Sequence, residues 1–141
     1  MKSYTLGFVF NTDLSKVLLM EKQHPDWQRG KYNGIGGKIE EGEESRACIV
    51  REIEEESGLS TEEADWIYIG VLKAEEYVVD VYALVYMGAR TDAVTTTDER
   101  VEWFSTVSLP DKVIPNLRWM VPFALDKITN KEVRHFMAEY P

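Results

Sequence analysis

Gly37–Leu59 reads GKIEEGEESRACIVREIEEESGL. From Ser45 to Ser57 the run holds neither Gly nor Pro, and Gly58 stands where a helix C-cap belongs, so a helix is predicted over 45–57. At about 3.6 residues per turn, Glu52, Glu55 and Glu56 fall at i, i+3 and i+4 and share one face. Ile49, Val50 and Ile53 point elsewhere and form an apolar stripe able to dock on a sheet. Like charges at helical spacing cost about 0.2–0.5 kcal/mol per pair unless something neutralises them. A hard divalent cation does so well, because Mg²⁺ takes oxygen ligands and commonly uses one or two carboxylates with substrate phosphates. A solvated acidic face is the other reading of the same residues.

The flanking pattern separates the two. It runs Gly37, five residues, Glu43, seven residues, then Arg51-Glu52-Ile53, one residue, Glu55-Glu56, one residue, Gly58-Leu59. This resembles the signature of the Nudix hydrolases at every specified position. The resemblance implies an α/β fold, the Nudix-type α/β/α sandwich with a mixed β-sheet. It also implies a loop-helix-loop that binds Mg²⁺ or Mn²⁺ and hydrolyses a nucleoside diphosphate linked to another group. Glu52, Glu55 and Glu56 are then the implied metal ligands, with the Gly36 carbonyl completing the site. Arg51 can pair with Glu55 four residues on and orient it. Glu43 is expected to be structural, tying the loop to the helix.

Composition narrows the class. A chain of 141 residues, 44% hydrophobic and 11% aromatic, suits one domain over 1–141 with its own core. No apolar run approaches the ~18 residues of a membrane span, and Asp13 and Lys16 interrupt the N-terminal stretch too early for a signal peptide. The single Cys48 can form no internal disulfide and is expected to be a buried inert thiol, which suits a cytoplasmic location. The formal charge is −9. The quoted stretch carries eight acidic and three basic residues, so it holds −5 of that excess. An acidic chain without a basic stripe is a poor binder of polymeric nucleic acid, whereas a metal-complexed nucleotide suits it. A monomer or homodimer acting on a small nucleotide, with no membrane partner, is the expectation.

Along the chain, strands are predicted over 4–10 and 16–20, joined by an Asn11-Thr12-Asp13 turn, with a polar loop over 23–31. Asn33-Gly34-Ile35-Gly36-Gly37 reads as a glycine-rich lead-in whose backbone can approach a ligand. Later strands are predicted over 66–73, 78–87 and 101–105, and a helix over 117–127. Pro122 should lie in that helix's first turn or else kink it.

Beyond the signature, the chain is similar to the MutT-like branch, which hydrolyses oxidised purine nucleoside triphosphates such as 8-oxo-dGTP. The matching pieces are Tyr4-Thr5-Leu6, Lys31 to Lys38, Asp98-Glu99-Arg100 and Trp103-Phe104. The likeness implies that Asn33 meets the purine edge, Trp27 stacks on the base, Lys38 sits near phosphate, and Glu99 binds metal or orients water. Each has a structural alternative: a turn residue for Asn33, a loop anchor for Trp27, a solvated carboxylate for Glu99. Animal members of the branch carry Trp-Pro and paired aspartates where this chain has Ile114-Pro115-Asn116-Leu117. Asn116 remains as a possible base contact. The expected reaction is attack of water on a triphosphate, giving a monophosphate and pyrophosphate. Glu55 or Glu99 would receive the proton or orient the water. The rivals are another nucleoside diphosphate substrate, such as a dinucleoside polyphosphate or nucleotide sugar, and a non-catalytic nucleotide-sensing module.

Overall fold

The computed structural model describes all 141 residues. Its strands are β1 (Lys2–Phe10), β2 (Lys16–Glu21), β3 (Tyr32–Asn33), β4 (Ile35–Lys38), β5 (Ile67–Lys73), β6 (Tyr77–Val85), β7 (Val101–Ser105) and β8 (Phe136–Glu139). The helices are α1 (Ser45–Ser57) and α2 (Leu117–Thr129). Along the sheet the strands run β3-β2-β1-β6-β5-β8, with β4 also pairing β1 and β7 pairing β2. β1 and β6 are parallel from Lys2 opposite Tyr77 to Phe10 opposite Val85, while β1–β2 and β5–β6 are antiparallel. A parallel neighbour needs a crossover, and α1 lies within the one between β1 and β6.

Side chains alternate along a strand, and β1 uses both faces. Leu6, Phe8 and Phe10 join Leu117, Met120, Val121 and Ala124 of α2 in one core. Val9 joins Ile49, Ile53 and Trp66 in a second core beneath α1. The sheet is thus covered on both faces, and the expected α/β/α sandwich is the observed architecture. Ile49 and Ile53 are fully buried, worth about 1.5–3 kcal/mol each, and they seat α1 on the sheet.

Three elements depart from expectation. The glycine-rich lead-in forms β4 rather than a loop, because it pairs antiparallel with β1 from Tyr4 opposite Lys38 to Gly7 opposite Ile35. Gly36 permits this, since a Cβ there would sit 2.0 Å from the Thr5 carbonyl oxygen. Pro122 is the sixth residue of α2, past its first turn, where the ring deprives the Arg118 carbonyl of its helical donor. β8 pairs in parallel with β5 and forms one edge of the sheet where no strand was predicted.

Candidate active site

Both ends of α1 are tied down. At the start, the Ser45 hydroxyl donates to Asp80 Oδ2 at 2.7 Å and lies 2.8 Å from the Tyr82 hydroxyl, both on β6. At the end, Gly58 takes φ 75° and its N–H reaches the Glu54 carbonyl. The Thr96 hydroxyl donates to the Glu55 carbonyl and the Val94 N–H to that of Ser57. The loop that caps α1 therefore leads directly to Glu99.

Arg51 is the hub beside the carboxylates. It meets Glu43 through Nε at 2.7 Å and Nη2 at 3.0 Å, in a bidentate pair. Its Nη1 lies 3.0 Å from Glu52 and 3.2 Å from Glu55, and Nη2 also donates to the Lys38 carbonyl. The predicted Arg51–Glu55 pair is present, but Glu43 is the stronger partner. Those hydrogen bonds hold the Glu43 carboxyl down at about pKa 2, and Glu43 keeps Arg51 well above its ordinary range. Glu43 ties the loop to the helix as expected, since it also accepts from the Glu40 N–H.

Glu52 is buried against β4. A Cβ on Gly37 would come within 2.4 Å of its carboxyl, so glycine at that position makes room for it. Glu56 is half-buried, with a buried Oε2 that has no hydrogen-bond partner. Burial and then the neighbouring Glu52 charge push its carboxyl up to about pKa 8. Glu99 is only 4% exposed, which rules out the solvated-loop reading. Burial alone would raise its carboxyl. The Gln23 N–H at 2.8 Å and the Lys22 ammonium at 3.1 Å outweigh that and bring it below the ordinary range. Glu99 in turn raises Glu56, so α1 and the 93–100 loop bring these carboxyls into one electrostatic cluster. Glu55 stands at the exposed rim.

These carboxylates are not gathered into a ready-made cage of three ligands. Arg51 and Lys22 hold Glu52, Glu55 and Glu99, so cation binding requires some of these side chains to turn. The donor set nevertheless fits a hard divalent ion: all-oxygen, anionic, and including a buried carboxylate oxygen with no partner of its own. Gly36 adds a carbonyl. The Ile39 N–H bonds the Ser3 carbonyl, so ladder alternation makes Thr5–Gly37 a hydrogen-bonded pair and Leu6–Gly36 a non-bonded one. The Gly36 carbonyl therefore points away from β1.

The other expected contacts lie on the loops. Trp27 is 62% exposed with the Lys31 ammonium 5.9 Å above its ring, so it is no buried anchor. Asn33, on β3, accepts from the Gly34 N–H at 2.8 Å and donates to Gln28 at 3.3 Å. Asn116 is half-buried at the N-cap of α2 without a side-chain cap bond, on a segment whose Ile114 N–H bonds Tyr32 of β3. Lys38 is exposed at the end of β4. A hollow of about 550 Å³ beside it, bordered by Lys2, Ser3 and Glu40, lies off the acidic cluster. Cys48 is buried against Thr5, and burial raises its thiol to about pKa 11, which makes it inert. Lys22 was not foreseen: a lone lysine at a strand end carries no signal that a glutamate 77 residues away will close on it.

The family model described as NUDIX domain matches residues 3–133. The chain belongs to the NUDIX family. Among named relatives, this Nudix domain is 28% identical over 97 residues to an NAD-capped RNA hydrolase, NudC, of Vibrio atlanticus. That match covers 69% of this chain and 35% of the relative. It is 30% identical over 56 residues to a methanol dehydrogenase activator of Bacillus methanolicus, covering 40% and 30%. The chain thus spans about a third of the length of these relatives. Among solved structures, a MutT NUDIX hydrolase from Burkholderia pseudomallei superposes with a TM-score of 0.73 at 19% identity, covering 86% of this chain and 95% of that one. A MutT structure from work on Aliivibrio salmonicida and Vibrio cholerae gives 0.70 at 19% identity, covering 89% and 98%. At such identities the likeness is one of fold. The expectation of a Nudix hydrolase is borne out at the level of family and fold.

Proposed function

We propose that this Nudix domain is a divalent-metal-dependent nucleoside triphosphate pyrophosphatase. It would convert a triphosphate and water to a monophosphate and pyrophosphate, with oxidised purine nucleotides such as 8-oxo-dGTP as the preferred class. The observation that carries the reading is the unpartnered, buried Glu56 oxygen beside Glu52, within an intact signature. A group so placed is destabilised by its own charge until a cation joins it. Glu52, Glu56 and the Gly36 carbonyl would hold Mg²⁺ or Mn²⁺, with Glu55 and Glu99 at its margin. When bound, such an ion neutralises phosphate oxygens and lowers the pKa of a water. Arg51 keeps Glu52 and Glu55 oriented, and Lys22 holds Glu99 in place. Glu55, exposed at the rim, receives the proton of the attacking water or orients it. Lys38 and Trp27 frame the approach, the one for phosphate and the other for a base face.

All three helical glutamates are retained, which supports a catalytic domain over a sensing module. The test is product analysis with Mg²⁺ on a panel of ordinary and oxidised triphosphates, dinucleoside polyphosphates and nucleotide sugars, for wild type and Glu55→Gln. Monophosphate and pyrophosphate from oxidised purine triphosphates, lost in Glu55→Gln, is the expected result. Turnover confined to another panel class would replace the substrate assignment. Unchanged turnover in the variant would remove Glu55 from the chemistry.

A further inference from the structure

The orientation of two amides beside the site follows from chemistry alone. The Gly34 N–H can only donate, and it reaches Asn33 Oδ1 at 2.8 Å. The other end of the Asn33 amide is therefore its NH₂ group, and that group donates to Gln28 at 3.3 Å. Gln28 must then present Oε1 inward. Its own NH₂ group faces away from Asn33 and makes no hydrogen bond within the protein. Gln28 is half-buried, next to the exposed Trp27. The loop that bears both is closed at its root by Lys22 N–H to the Lys31 carbonyl and Gly30 N–H to the Lys22 carbonyl. The same Lys22 holds Glu99, so the free donor stands on a loop rooted in the acidic cluster.

We infer that Gln28 is the specificity-determining residue for the base. Gly34 and Asn33 form a relay that fixes the Gln28 amide with its donor outward, selecting bases that offer a ring carbonyl oxygen there. Guanine and hypoxanthine present O6, an acceptor, whereas adenine presents the N6 amino group, a donor that would oppose the Gln28 NH₂. A site built around a directed hydrogen bond rejects the mismatched partner strongly, because its own polar group is left unpaired. The inference rests on the proposal that a nucleotide base lies at this loop, and it adds which residue reads the base and by what polarity.

The test is equilibrium binding of GMP, IMP and AMP to the metal-free chain, by calorimetry or Trp fluorescence. Hypoxanthine keeps the O6 and N1–H of guanine and lacks only its 2-amino group, so comparing IMP with AMP confines the difference to the 6-oxo edge. Wild type is expected to bind GMP and IMP about tenfold tighter than AMP. In Asn33→Asp the aspartate still accepts from Gly34 but offers Gln28 a second acceptor. The Gln28 amide must then turn over and present its oxygen outward, and the preference is expected to invert toward AMP although Gln28 is unchanged. Gln28→Glu places an acceptor outward directly and is expected to invert it too. The added charge weakens all three ligands alike, so the IMP-to-AMP ratio is the readout. Equal IMP and AMP affinities in wild type, or a ratio unmoved in both variants, would overturn the inference. Shifted ratios without any triphosphate hydrolysis would leave base reading intact and sink the pyrophosphatase reading. Normal hydrolysis with unmoved ratios would do the reverse.

Discussion

Replacing Glu43 by Gln removes one charge from the bidentate pair with Arg51 while keeping its shape. The pair is half-buried, with Glu43 14% and Arg51 25% exposed, and its contacts are 2.7 and 3.0 Å. The Glu43 carboxyl falls from an ordinary 4.5 to about 2 because Arg51 hydrogen-bonds its charged form. A difference of that size corresponds to about 3 kcal/mol. Screening at the open rim reduces this to about 2 kcal/mol. For a chain of 141 residues that loss lowers Tm by about 4–8 °C. The sign with pH is fixed: a depressed carboxyl stabilises the fold above its unfolded pKa, and that stabilisation disappears as pH falls through the folded value. Urea melts of wild type and Glu43→Gln between pH 7 and pH 2 should therefore converge toward the acid end, the wild type losing stability faster below pH 4.5. A variant within about 0.5 kcal/mol of wild type at pH 7, or one with an undiminished acid slope, would refute the reasoning, since surface changes alone stay within that margin.

Other outcomes follow from the same geometry. Glu56→Gln should stabilise the metal-free protein in EDTA at pH 9 and leave it unchanged at pH 4. The reason is that a carboxyl raised to about 8 costs stability as pH climbs through that value; thermal melts at the two pH values check this. Gly37→Ala should push the Glu52 carboxyl aside, cost about 1–3 kcal/mol, and shrink the Tm gain on adding Mg²⁺. Thr96→Val should cost about 1 kcal/mol and lower kcat more than it changes KM, with Thr96→Ser restoring both, because the hydroxyl ties the end of α1 to the loop bearing Glu99.

What the sequence disclosed depended on how local the cause was. α1 begins at Ser45 and ends at Ser57 as predicted, because its stop signal, Gly58 in the left-handed region, is a neighbour in sequence. β4 was hidden because Asn-Gly-Ile-Gly-Gly has poor strand propensity, and only the arrival of β1 makes a strand of it. β8 was hidden for a like reason: Phe136 and Ala138 alternate too briefly to mark a strand until β5 lies beside them. In the site, the shared face of Glu52, Glu55 and Glu56 is helix geometry and was legible. The burial of Glu99 and its closure by Lys22 come from distant chain segments meeting, which spacing does not encode. The contacts of Asn33, whose oxygen accepts from the neighbouring Gly34 N–H and whose nitrogen donates to Gln28, were not legible, and Gln28 itself carried no signal.

Whether the helical carboxylates bind a divalent ion is tested most directly by titrating Mn²⁺ into wild type and a Glu52→Gln/Glu56→Gln variant while following free Mn²⁺ by electron paramagnetic resonance. Saturable binding by wild type, competed by Mg²⁺ and lost in a variant that still melts cooperatively, is the predicted result. Equal binding by the two proteins, or none by wild type, would contradict it.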